Sequence, residues 1–143
     1  MAVHALAVLS TADDWLRSDS VAASLNAQPS HVRALLATLV QAGLVESREG
    51  RSGGYRLARA PEKIALANVY DAIESDGLLA PSPTEPSKHC HIGGGIRKAF
   101  DEIACTARQA VLDALADESV ADVARRAYDL GGRRAPTPGF HAP

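Results

Sequence analysis

The sequence predicts a mainly α fold with a small β-wing, and three observations lead there. The chain has 143 residues, 46% of them apolar and only 4% aromatic, with Ala and Leu dominant and Val, Ile and Thr scattered singly, which favours helices over a sandwich or barrel. Apolar residues recur at helical spacing through several segments, and only the stretch over residues 44–57 alternates as strands do. The length suits one domain plus an appendage, so a disordered tail protein and a large β-rich enzyme are both excluded.

Taken in order, the first 16 residues read as a helix with Val3, Leu6, Ala7 and Leu9 inward and Asp13 and Asp14 near its end. Ser18 offers an N-cap to a short helix over residues 19–25, in which Val21, Ala22 and Leu25 share a face. Asn26-Ala27-Gln28 makes a turn. Pro29 then stands where a first helical residue tolerates a missing N–H, and Val32, Leu35, Leu36 and Leu39 follow the i, i+3, i+4, i+7 pattern until Gly43 closes the helix. Two short helices joined by a tight turn have the form of a helix-turn-helix. Residues 44–48 and 54–57 alternate on either side of a turn-rich loop, which gives a hairpin directly after the second helix of the pair.

Beyond Pro61, residues 64–73 read as one more helix, with Leu66, Val69, Tyr70 and Ile73 at helical spacing. Residues 75–90 hold Pro81, Pro83 and Pro86 without periodicity and read as a linker loop. A long helix follows to about residue 116, and its stripe Ile96, Phe100, Ile103, Ala107, Ala110 and Ala114 is close to a heptad seam. One helix cannot bury such a stripe alone, so a second copy of the chain is expected against it. Ser119 caps a last helix to about residue 130. The expected organisation is a winged helix DNA-binding domain with its packing helix over 1–74, the linker at 75–90, the dimerisation helix and last helix over 91–130, and a flexible tail over 131–143. This is a winged helix-turn-helix plus a long C-terminal dimerisation helix.

The net charge of -2 on its own disfavours nucleic acid, but its distribution is uneven. Residues 28–59 carry a net +3, all of the basic charge being arginine, and residues 60–88 a net -3. Arginine brings a planar fork of donors suited to phosphate oxygens and guanine edges. In a winged helix the second helix of the pair can enter the major groove while the wing tip reaches backbone or minor groove, and the glycines of the wing let its main chain approach a phosphate.

The order of helix-turn-helix, Gly43-Leu44-Val45, the wing Gly50-Arg51-Ser52-Gly53-Gly54-Tyr55-Arg56-Leu57-Ala58, the Pro61-Glu62-Lys63-Ile64 step and Cys90 before a long helix resembles the Rrf-two family of bacterial transcriptional regulators. The likeness covers about residues 1–130. It implies a homodimeric, sequence-specific DNA-binding regulator, a repressor, on a roughly palindromic double-stranded operator. By the same resemblance the helix start would supply Gln28, Ser30, His31 and Arg33 to the major groove, with Arg33 reading a base, and the wing would supply Arg48, Arg51, Ser52 and Gly53. For Ser30 and His31, plain solvent exposure at a helix start is the other reading. The chain departs from the family pattern in starting almost inside its first helix and in carrying Glu49 in the wing.

Several family members hold an iron–sulfur cluster on three cysteines near the start of the dimer helix. This chain has two cysteines in all, with Cys105 fifteen residues after Cys90, so it looks like the YwnA-like branch that lacks the three-cysteine site, and no cofactor or metal is expected. Cys90 lies in His89-Cys90-His91 ahead of a helix, where dipole and imidazole can favour the thiolate. Three readings stay open for it: a redox- or electrophile-sensing thiol, a metal or cluster ligand completed by other residues or a second subunit, and a structural cysteine. Cys105 reads as a small buried hydrophobe. Trp15 and the tyrosines form no stacking set, with Tyr55 and Tyr70 expected in the core. No phosphate loop, nucleophile elbow or metal-protease helix appears, so no enzyme is expected. With no export signal or membrane-length apolar run, the protein is placed in the cytoplasm. A rival class stays open: a winged helix used for protein–protein interaction or dimerisation without DNA binding, which the overall acidity favours and the arginine concentration opposes.

Overall fold

Ser10 and Thr11 turn their hydroxyls back onto the carbonyls of Ala7 and Val8, at 2.7 and 2.8 Å, and the first helix stops there. The computed structural model describes residues 1–74, 85–87 and 89–131. Its first helix, α1 (Ala2–Ser10), is therefore shorter than the 16 residues expected from periodicity. The reason is tertiary: Leu16 pairs its backbone with Tyr55, its N–H donating to the Tyr55 carbonyl at 2.9 Å and its carbonyl accepting from the Tyr55 N–H at 2.8 Å. Residues taken into that bridge cannot stay in a helix.

Helix α2 (Ser18–Leu25) begins one residue earlier than expected, with Arg17 at the N-cap, so Ser18 lies in the first turn and caps nothing. Asn26 ends it in the left-handed region at φ 49°, a conformation Asn tolerates better than most residues. Helix α3 (Pro29–Gln41) has Pro29 at its first position and buries Val32, Leu36 and Leu39 completely. Gly43, at φ 68°, turns the chain out of it, with its N–H on the Val40 carbonyl and that of Leu44 on Leu39. These side chains meet Leu6 and Leu9 of α1 and Val21 of α2 to form the core.

Strands β1 (Val45–Arg48) and β2 (Gly54–Leu57) pair antiparallel, with Glu46 opposite Arg56 and Arg48 opposite Gly54. Alternation puts Val45, Tyr55 and Leu57 on the core side, as expected for Tyr55, and Glu46, Arg48 and Arg56 on the outer side. Leu16 joins β2 on its free edge.

After a 3-10 turn (Pro61–Lys63), helix α4 spans Leu66–Ile73, two residues later than expected at its start. Ile64 and Ala65 are extended because they hold the far end of the chain. The Ile64 carbonyl accepts from Val120 at 2.9 Å, the Leu66 N–H donates to Glu118 at 2.7 Å, and Ala65 bridges Ser119. Helix α5 (Gly93–Ala116) packs on α4, with Arg108 ion-paired to Asp71, and Ala104, Ala107, Arg108, Val111, Leu112 and Leu115 are half-buried along it. Helix α6 (Val120–Leu130) returns along α1. Most of the expected linker at 75–90 and the expected tail past residue 131 lie outside the described residues.

The expected cap at Ser119 is present and is a full capping box. The Ser119 Oγ accepts from the Asp122 N–H at 3.2 Å, and an Asp122 carboxylate oxygen accepts from the Ser119 N–H at 3.0 Å. The Ser119 hydrogen bonds hold the Asp122 carboxyl below its ordinary pKa. A carboxylate with a depressed folded pKa stabilises above its unfolded value and loses that contribution as pH falls through the folded one. Ser119→Ala should lower Tm at neutral pH by about 3 °C, and the gap to the parent chain should narrow, without closing, as pH falls through the depressed Asp122 pKa, because the neutral Ser119 cap on the Asp122 N–H remains.

Candidate nucleic-acid interface

At the N-terminus of α3, Pro29 has no N–H, Gln28 makes no side-chain cap, and Gln28, Ser30, His31 and Arg33 are all exposed. Several first-turn amide groups and the positive end of the helix dipole thus face solvent beside side chains rich in donors. The structure gathers these four expected residues on one short surface. It also adds one that the sequence reading missed: Asp19 of α2, whose carboxylate meets the Arg33 guanidinium at 3.4 Å, both side chains being mostly exposed. Asp19 lies 14 residues before Arg33, and only the packing of α2 on α3 brings the pair together.

The second expected group is the wing. Arg48, Arg51 and Ser52 are exposed and Gly53 is half-buried. The Arg48 guanidinium donates to the Ser52 carbonyl, bracing the loop from within. Gly53 donates to the Gly50 carbonyl at 3.0 Å, and a Cβ on Gly53 would run into the Arg48 carbonyl. Glycine at 53 is therefore demanded by the tight turn itself, whereas the sequence reading assigned the wing glycines to phosphate approach.

Two further residues belong to this surface. Arg56, opposite Glu46 in the hairpin, is ion-paired to it at 2.8 Å. Trp15 lies against both wing arginines, its ring centre 4.7 Å from the Arg48 guanidinium carbon and 4.5 Å from that of Arg56.

Cys90, His89 and His91 are exposed ahead of α5. The Cys90 N–H donates to the Ser87 carbonyl at 2.9 Å, and its carbonyl accepts from Gly93 at 3.0 Å, so the cysteine lies in the turn just ahead of the long helix, two residues before the N-cap Ile92. Cys105 is exposed, against the expectation of a buried small hydrophobe, because it faces away from the side of α5 that meets α4. Along that helix the rise from Gly93 to Cys105 is roughly 18 Å, so one protomer cannot bring both thiols to one ion. Among the described residues no three His, Cys, Asp or Glu side chains converge on a point, and the donors present do not fit a three-cysteine cluster.

A family model, Rrf2, described as iron-dependent transcriptional regulator, matches residues 1–126. YwnA of Bacillus subtilis strain 168, named provisionally as an HTH-type transcriptional regulator, is 32% identical over 123 residues, covering 86% of this chain and 91% of its own. Among solved structures, one of a protein named provisionally as DNA-binding superposes with a TM-score of 0.68 at 30% identity, covering 85% of this chain and 94% of that one. IscR of T. potens shares the fold at a TM-score of 0.64 and 21% identity, over 96% of this chain and 88% of its own.

The Arg33–Asp19 pair is exposed, so it holds the guanidinium back only weakly. Asp19→Asn should tighten binding to a non-specific duplex by about two- to fivefold in an anisotropy titration, while Tm moves by no more than about 2 °C.

Proposed function

The chain belongs to the Rrf2 family of winged-helix transcriptional regulators, which are not enzymes, and from that premise we propose that it acts as a homodimeric repressor reading a roughly palindromic operator. The observation that carries the dimer is on α5, where Ile96, Phe100 and Ile103 are 50, 38 and 60% exposed and Gly93 is the one fully buried residue. These side chains lie on the expected heptad seam, next to the face that packs on α4. A stripe of that kind gains its stability from a second copy of itself, burial of each large apolar side chain being worth about 1.5–3 kcal/mol.

Two winged helices in one dimer place two α3 N-termini and two wings on one duplex. Arg33 would read a guanine edge, Gln28, Ser30 and His31 would contact bases or backbone beside it, and Arg48, Arg51 and the Ser52–Gly53 turn would hold phosphates. The same reading places the protein in the cytoplasm with its DNA, and no helix among the described residues is long and apolar enough to cross a membrane.

Regulation through Cys90 belongs to this proposal. An exposed thiol at the start of a helix, with His89 and His91 adjacent, is placed for oxidation or attack by an electrophile. Since the donor set does not fit a three-cysteine cluster, the chain would sense without resident iron.

Binding to operator fragments selected from genomic DNA should fall steeply with salt, with a log–log slope of about -4 or steeper for two protomers. Arg33→Ala with Arg51→Ala should cost about a hundredfold, and Phe100→Glu should give monomers in sedimentation and weak binding. Salt-insensitive binding, or a Phe100→Glu dimer as tight as the parent, would overturn the reading. Separately, peroxide or a thiol-reactive electrophile should change operator affinity of the parent chain and leave Cys90→Ser unaffected. An equal response in both proteins would remove Cys90 as the sensor.

A further inference from the structure

The hairpin register sets Glu46, Arg48, Gly54 and Arg56 on one face of the wing, away from the core. Within the hairpin itself Arg56 is held by Glu46 and Arg48 by the Ser52 carbonyl alone. The Leu16–Tyr55 backbone pair brings Trp15 alongside that face. Gly54 leaves room for the approach, since a Cβ there would strike the Leu16 carbonyl. The half-buried indole then lies within 4.7 Å of both guanidinium carbons.

The two arginines differ in what else holds them. Arg56 is ion-paired to Glu46 at 2.8 Å, whereas Arg48 has no carboxylate partner among the described residues and donates to the uncharged Ser52 carbonyl. Arg48 therefore keeps its full charge. A guanidinium with its flat face on an indole still has its N–H donors pointing outward in its own plane, where a phosphate oxygen can meet them. Holding the side chain there beforehand also reduces the rotamer freedom lost on binding.

We propose that Trp15 is the positioning residue of the wing, stacking Arg48 so that its donor edge is presented to a DNA phosphate while the Glu46-paired Arg56 fills the rest of the ring. The inference rests on the reading of Arg48 as a phosphate contact and deepens it. Trp15 touches no DNA in this scheme. Its effect is transmitted through Arg48 alone.

The test uses the full chain and a fluorescent duplex selected from a random-sequence library. Trp15→Leu should weaken binding by about two- to fivefold, the size of an exposed cation–π interaction, and Trp15→Phe should recover part of the loss. In an Arg48→Gln background Trp15→Leu should have no further effect. Because the chain has a single tryptophan, fluorinated tryptophan can be incorporated at position 15 alone, preserving shape while draining the ring's negative face. Affinity should then fall stepwise with the number of fluorines, a readout that a structural role would not move and that stands even if Trp15→Leu fails to fold. Affinity independent of fluorination, or equal losses from Trp15→Leu with and without Arg48, would overturn the positioning role while leaving DNA binding intact. An Arg48→Gln protein that binds as well as the parent would instead remove the phosphate contact, and the proposal with it.

Discussion

Two backbone hydrogen bonds between Leu16 and Tyr55 hold the loop after α1 against the wing, and much of the surface depends on them. A lone two-stranded hairpin is marginal in water. Here its inner face reaches the core through Val45, Tyr55 and Leu57, and its free edge is tied to a segment that descends from α1, whose Leu6 and Leu9 are buried in that same core. The bridge accounts for three features at once: the early end of α1, the glycine at position 54, and the indole that lies on the outer face of the hairpin.

The arginine concentration between residues 28 and 59 looks uniform in sequence, but the fold gives its members different freedom. Arg33 shares its charge with Asp19 and Arg56 with Glu46, while Arg59 donates to the Asn68 amide oxygen at 3.5 Å. Among the described residues Arg48 and Arg51 have no carboxylate ion pair. The acidic partners temper attraction to any duplex, so a correct site has to compensate by breaking weak surface pairs.

Periodicity and punctuation made most of this fold legible before any coordinates. Pro29 and Gly43 bracket α3 because each has a backbone property that suits a helix end, and Ser119 marks the start of α6 as its N-cap. What stayed hidden was every relation set by tertiary pairing. Residues 11–16 look as helical as those before them until Tyr55 claims Leu16, and Ile64 and Ala65 look helical until residues 118–120 claim them. For the candidate interface, the arginines and the helix start could be named from residue type and position. Asp19 and Trp15 could not, since their roles exist only where α2 meets α3 and where a loop meets a strand.

Helix α5 is held at one end. Its last turns lie on α4, and the chain that follows is fastened to Ile64 and Leu66, whereas residues 94–103 have no covering element among those described. By the rise of a helix, the unsupported part projects roughly 15 Å beyond the packed part. In the proposed dimer the second copy lies along this projecting part, so the angle at which the two α5 helices cross sets how far apart the two clamped winged helices stand.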